Sequence, residues 1–524
     1  MKRSILLADV VTMDSGRPRA EAVVVGGDRV EFVGEKGAAL DFAKTRGAFE
    51  TRDLGGLCLV PGFNDNHVHA VILGDHLLAP DLGGLDAEGI VELLRAKFAG
   101  AAPGAILTAY NWDYPSCPEP RKEVLDRAFP RNPVVLSQFS GHAQWMNSAA
   151  LRAIGIWRGS PDPEKGQVLR DGDGEPTGIV RDLGDTALSK ERFRRIFFDA
   201  RLREPRLALA LDTFRRHGIT SVQDNAWFYP ELFSLAWRRR QEALSARFSC
   251  WSMGRQAWTT PAMRAAGAFA FDRVWVRPGP VKYFLDGAFS TRTACLFEPY
   301  ADDPSGGLCE DIAAPSAELE YLARRRLQGA FHIIGDRGIA GFLDAYEEVR
   351  TRKPGLDSLR IRIEHAQLVR KGDIDRIARL GILVAAQPSA LGSPAKDERL
   401  LGAERAMQAY PYRSLLNAGV HLSFGSDIPG EATVDPLLAI HMAANRQGPE
   451  RIGAEEALRC YTTGSAYAEF MEGQKGRIAR GMLADFALLS ANPISVATGA
   501  IKDIRVRETI VGGRIVWSAS EGDD

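Results

Sequence analysis

Leu57-Cys58-Leu59-Val60-Pro61-Gly62-Phe63-Asn64-Asp65-Asn66-His67-Val68-His69 is an apolar run that ends on two histidines two residues apart. Residues at i and i+2 of an extended chain point to one face, so two imidazoles leaving such a run can converge on one cation. The other histidines extend the pattern. His332 lies in Ala330-Phe331-His332-Ile333-Ile334-Gly335-Asp336, and His365 closes Ile361-Arg362-Ile363-Glu364-His365. Asp427 ends a further run, Leu422-Ser423-Phe424-Gly425-Ser426-Asp427. Each candidate ligand thus stands in or just after a short strand-like segment.

Outward from these runs, eight strands are expected at 57–63, 219–224, 247–253, 281–286, 330–335, 361–365, 382–387 and 421–426. Helical patterns at 318–328, 339–350, 373–380 and 413–418 alternate with the later strands, and Gly218, Gly381 and Gly419 stand where helices should stop. This alternation predicts an α/β fold built on a (β/α)8 barrel, whose sites lie at the C-terminal ends of its strands. Residues 64–218 separate the first two strands, far more than a βα connection takes. An inserted subdomain is therefore expected over 71–215, with strands at 105–109 and 134–139, a helix starting at 149–154 and an exposed turn-rich stretch at 159–178. It either covers the barrel mouth or merely decorates it. Residues 22–33 and 509–517 are alternating strands broken by Gly-containing turns and should pair into one sheet.

Composition bounds the chemistry. A chain of 524 residues exceeds the size of a single core, and 45% hydrophobic with 25% charged residues is ordinary for a globular protein. A net charge of −1 leaves no footprint for nucleic acid or anionic membrane, which points to small-molecule partners. A homodimer is left open. The six cysteines are scattered without a CxxC, so neither a disulfide framework nor a thiolate zinc site is expected, and a cytoplasmic location fits best. No secretory signal or membrane span is expected.

PGFNDNHVH (61–69), GHAQWMNSAAL (141–151), VKYFLDGAFSTRTACL (281–296), HIIGDRG (332–338), RIEHAQ (362–367), YPYRSLLNAGVHLSFGSDIP (410–429) and GRIARGMLADFALL (476–489) run along nearly the whole chain. In this order they resemble the amidohydrolase superfamily, closest to amidohydrolase family 3 and its YtcJ-like branch. The resemblance implies a β-sandwich from both termini (1–56 with 475–524), a metallo-hydrolase barrel (57–70 with 216–474) and the inserted subdomain. It implies two divalent metals, zinc by donor type, with iron, manganese or nickel also suited. His67 and His69 would bind one metal and His332 and His365 the other, with Lys282 bridging them as a carbamate. Asp427 would touch the first metal and act as general base and then acid toward a metal-activated water.

The activity so implied is hydrolysis of a non-peptide C–N bond in an amide, N-formyl or N-acyl amine. A mononuclear deaminase or a cyclic amide or lactone hydrolase is the alternative within the superfamily, and a silent scaffold the alternative outside it. By alternation Lys282 is placed nearer the start of its strand than the end, where a barrel salt bridge is its other reading. His142 and Trp145 are candidate substrate contacts from the insertion, each with a structural alternative. Arg292 suits a substrate carboxylate or a loop salt bridge, and Asp336 and Arg337 either orient His332 or pair with adjacent loops. His76, His217, His421 and His441 read as structural.

Overall fold

The computed structural model describes residues 3–520 apart from 47–48, 140–142, 162, 164–165, 182, 184–186, 226–228, 255–260 and 310–314. Eight parallel strands form one sheet: β1 (Phe63–Val68), β2 (Ile219–Asp224), β3 (Arg247–Met253), β4 (Val276–Phe284), β5 (Gly329–Ile333), β6 (Arg362–His365), β7 (Leu383–Ala386) and β8 (Leu422–Phe424). Each pairs with its neighbour in chain order. Beyond β8 the chain returns to β1, where Asp427 N donates to His67 O at 2.7 Å and His69 N to Ile428 O at 3.1 Å. The result is a nearly closed barrel. Strands β1, β2, β5, β6 and β7 are buried along their whole length, as barrel strands covered by helices must be.

Helices Ser316–Arg325, Asp336–Arg352, Lys371–Leu380 and Tyr412–Asn417 alternate with the later strands. Gly218, Gly381 and Gly419 have φ of 71°, 65° and 80°, the left-handed conformation that stops a helix without a Cβ penalty.

The expected first strand needs correction. The apolar run up to Pro61 belongs to another sheet, in the strand Glu50–Pro61, which pairs antiparallel with Phe486–Leu489. Barrel strand β1 begins after Gly62 and carries polar residues inward. They are tolerated because partners meet them: Asn64 Nδ2 donates to Glu469 Oε1 at 2.7 Å, and Asn66 Nδ2 to Ser423 Oγ at 2.7 Å.

The terminal segments form a single seven-stranded sheet, in the order Arg514–Ser518, Val506–Val511, Phe486–Leu489, Glu50–Pro61, Arg3–Val11, Arg19–Gly26 and Arg29–Gly34. The two stretches expected to pair lie at opposite ends of it. The sheet curls, so that Val30 N reaches Met482 O and Ala484 N reaches Asp28 O, both at 2.9 Å. A buried bidentate pair, Arg247 to Asp485 at 2.7 and 2.9 Å, ties it to β3.

The segment after β1 carries a five-stranded sheet, ordered Leu107–Trp112, Val134–Gln138, Ala143–Met146, Pro176–Arg181 and Gln167–Arg170, the last two forming a hairpin. Its core is its own, packed around Leu94, Trp112, Leu136 and Trp145. No helix among the described residues is long and apolar enough to cross a membrane.

Candidate metal centre

His67 leaves the end of β1 with its Nδ1 2.7 Å from Glu364 Oε2. Glu364 is in turn held by Arg362, Nε to Oε1 at 2.8 Å, and Arg362 also donates to Asn66 O at 3.1 Å. A carboxylate only accepts, so the proton of His67 sits on Nδ1 and Nε2 presents a lone pair. Facing that lone pair are Asp427 Oδ1 and Lys282 Nζ, each 3.4 Å away. His365 repeats the arrangement. Its Nδ1 meets Gln387 Oε1 at 2.7 Å, while its buried Nε2 has no hydrogen-bond partner among the described residues.

Asp427 reaches the centre from the loop after β8. Its backbone N–H on His67 O aims it, and Ser426 N on Asp65 Oδ1 at 2.9 Å holds the preceding residue. Gly425 has to be glycine here, because a Cβ would come within 2.6 Å of Asp65 Oδ1 and 2.7 Å of His67 N. Asp427 Oδ1 is 3.3 Å from His69 Nε2, and Oδ2 is 3.9 Å from His365 Nδ1. One ligand atom each from His67, His365 and Asp427 lie within 4.8 Å of one another. The His332 ring stands 4.3 Å from that of His365, with Nε2 3.1 Å from Gly287 O.

Burial, reinforced by Lys282, drives His67 and His365 well below the ordinary imidazole range, so both are neutral. Burial likewise brings the Lys282 amine down to about 8. It would raise Asp427, but the hydrogen bond from His69 and the nearby Lys282 amine oppose it, and the carboxyl stands well below its usual value. Nitrogen and carboxylate donors of this kind suit a divalent transition metal.

Several sequence expectations are settled differently by the packing. Lys282 lies near the C-terminal end of β4, not its start, because the strand begins at Val276. Trp145 is fully buried in the insertion's core, 6.3 Å from Trp112, so it has no face for substrate. Arg292 is closed off in a bidentate pair with Asp302 at 3.0 and 2.7 Å. Asp336 Oδ1 accepts from Phe297 N and Arg337 N, so its bonds go to the loop rather than to His332. Arg337 is tied through its backbone to Cys295 O at 3.1 Å. His142 lies outside the described residues.

The supporting groups missed by sequence reasoning are Glu364, Gln387 and Asp286. Asp286 accepts from Ile334 N at 2.9 Å and Gly335 N at 2.8 Å, which fixes the chain just after His332. Glu364 and Gln387 adjoin or follow the histidine motifs, yet their role depends on pairing across strands that no spacing displays. Phe139, at the edge of the insertion, lines the pocket with Asp427, His332, His365, Phe289, Lys396, Tyr410 and Glu431. His76 packs on Tyr110, His217 bonds Thr213 O, His421 stacks on Tyr467 and His441 bonds Thr498 O.

The cysteine expectation is also corrected. Cys295 and Cys309 form a disulfide, brought together where Leu296 N donates to Gly307 O at 2.8 Å and the loop doubles back. That removes the cysteine argument for a reducing compartment.

A parallel eight-stranded barrel with histidines and an aspartate gathered at the C-terminal ends of its strands defines a metal-dependent hydrolase. The amidohydrolase family model matches residues 50–517, and the chain belongs to that family, enzymes that hydrolyse carbon–nitrogen bonds other than peptide bonds. It is 30% identical to the putative amidohydrolase YtcJ of Bacillus subtilis (strain 168), over 90% of this chain and 92% of that one. It is 29% identical to the N-substituted formamide deformylase of Arthrobacter pascens, over 97% of each. Among solved structures it is similar to an uncharacterized metal-dependent hydrolase from Pyrococcus furiosus, with a TM-score of 0.72 and 28% identity, over 94% of this chain and all of that one.

Proposed function

We propose that this chain hydrolyses an amide, N-formyl or N-acyl amine, with Asp427 carrying the proton. The observation that carries this reading is the gathering of Asp427 with the neutral imidazoles of His67 and His365, one ligand atom of each within 4.8 Å of the others. His67, His69, His332, His365, Asp427 and the carbamate of Lys282 would hold two divalent ions. Zinc is first by donor type, with iron, manganese or nickel also suited. When bound, such ions polarise the scissile carbonyl and acidify water.

Lys282 suits the bridging role because its amine, lowered by burial to about 8, is partly neutral near that pH. Only a neutral amine adds to carbon dioxide, releasing one proton and leaving an anionic carbamate. That exchange turns a buried cation into an anion beside metal ligands. Asp427, ionised and set between His67 and His69, accepts a proton from the attacking water and returns it to the leaving nitrogen. The formamide deformylase relative favours an N-formyl amine.

A second reading, a mononuclear deaminase or cyclic amide or lactone hydrolase, draws on the grouping of His67, His365 and Asp427, the single one among the described residues, and the turn of His332 Nε2 toward Gly287 O. Elemental analysis of gently purified protein, with product masses from a panel of N-formyl amines, N-acyl amines, lactams, lactones and esters, separates the two. About two metals per chain and release of formate or another acid with free amine are expected. Hydrolysis by metal-free protein would refute the mechanism, and one firmly bound metal would favour the second reading.

A further inference from the structure

Lys396, on the helix Pro394–Leu401 that follows β7, holds its Nζ 4.7 Å from the centre of the Phe139 ring. The two residues come from different parts of the chain, the barrel and the insertion, and both line the pocket that contains His365 and Asp427. An ammonium has three hydrogens to donate. The aromatic face steadies its charge but accepts no conventional hydrogen bond. Burial lowers the Lys396 amine from its ordinary value, with Glu431 and Asp397 acting to raise it, and among the described residues neither carboxylate stands at ion-pair distance from Nζ. The Tyr410 hydroxyl, which lines the same pocket, donates to Ala390 O at 3.5 Å. A half-buried lysine is thus placed in the lining of the reaction pocket, packed on an aromatic face.

We propose that Lys396 reads a negative charge on the part of the substrate that is not cleaved, so that the preferred substrates are N-acyl or N-formyl amines bearing a carboxylate. This rests on the hydrolase reading above and adds the residue that selects within it. A carboxylate is favoured over a neutral carbonyl because a hydrogen bond between two charged groups is roughly twice as strong as a neutral one. Phe139 and Phe289 supply the apolar walls for the remainder of the molecule.

The test compares equilibrium binding of N-formylphenylalanine and its carboxamide to metal-loaded enzyme, by titration calorimetry in an Asp427→Asn background so that neither compound is consumed during the titration. This parent should bind the acid about 10-fold more tightly or better, the scale of a hydrogen bond to a charged group. Lys396→Met should bring the two affinities together at unchanged metal content, while Lys396→Arg keeps the preference. An equal preference in the parent and Lys396→Met would assign the carboxylate to the metal centre and overturn the proposal, as would a parent that does not distinguish the pair. Turnover of the same two compounds is read separately, with Asp427 intact. Failure to release formate from either, with the Lys396-dependent preference intact, would overturn the N-formyl reading and leave the assignment of Lys396 standing.

Discussion

Glu364→Gln removes one charge from a fully buried site without changing its shape. The carboxylate accepts from His67 Nδ1 at 2.7 Å through Oε2, and from Arg362 Nε at 2.8 Å and Nη2 at 3.2 Å. A carboxamide keeps one acceptor oxygen and puts an NH2 where the other was. Since His67 Nδ1–H and Arg362 both donate, one of them must then face a donor. If the NH2 faces His67, the imidazole shifts to its other tautomer and Nε2 loses the lone pair aimed at the metal centre. If it faces Arg362, a buried guanidinium loses part of its pairing, which costs ~1.5–3 kcal/mol of stability. Loss of a carboxylate that orients a ligating histidine weakens metal binding by ~10- to 100-fold, or ~1.4–2.8 kcal/mol. Competition with a chromophoric chelator measures the metal affinity directly, and thermal unfolding of the metal-free protein measures the stability term. Turnover should recover in part when metal is supplied in excess. Wild-type metal affinity together with undiminished stability in Glu364→Gln would refute both branches and show that Glu364 neither sets the His67 tautomer nor pairs Arg362.

Lys282→Ala should lose metal and activity, with partial rescue by added short-chain carboxylic acids; unchanged metal content and rate would remove Lys282 from the bridge. Asp427→Asn should fold and lose at least ~10²-fold in turnover, the usual scale for an acid–base group, and near wild-type turnover would place the proton elsewhere. Phe139→Ala should reorder substrates by kcat/KM at constant metal content, because Phe139 faces the pocket. Trp145→Ala, in the core of the insertion, should cost ~3–5 kcal/mol of stability and lower all substrates together. Equal proportional losses on two substrates in Phe139→Ala would reject its role in recognition.

The barrel was legible in the sequence wherever local pattern and tertiary environment agree. Runs such as Phe331-His332-Ile333 and the glycines at 218, 381 and 419 sit in the strands and helix stops their composition suggests. It was misread where burial rests on distant partners. Asn64, Asp65 and Asn66 look like the end of a strand, and only Glu469, Ser423 and Ser426, far along the chain, make them the middle of one. Lys282 was misplaced for a related reason. The strand was expected at 281–286, but Pro278 and Gly279 also lie within β4, where the pairing with β3 shifts register. Trp145 shows the opposite error, an aromatic residue assigned to substrate that completes a separate core.

The candidate donors were visible, whereas the direction in which they point was not, and closure of the barrel explains the difference. His365 and Asp427 have φ of 75° and 54°, in the left-handed region that costs a non-glycine residue ~1–3 kcal/mol. Nothing in an isolated Glu-His or Ser-Asp pair requires that conformation. For Asp427 it is held by the hydrogen bonds that join the chain after β8 to β1, Asp427 N to His67 O and Ser426 N to Asp65 Oδ1. For His365 it is held where Ala366 N donates to Ile333 O at 3.0 Å and Gln387 meets the ring from β7. Each strained residue is fixed by a neighbouring strand, so the donors converge only when the strands are in register. Weakening the β8-to-β1 junction should therefore disturb metal binding before it unfolds the barrel.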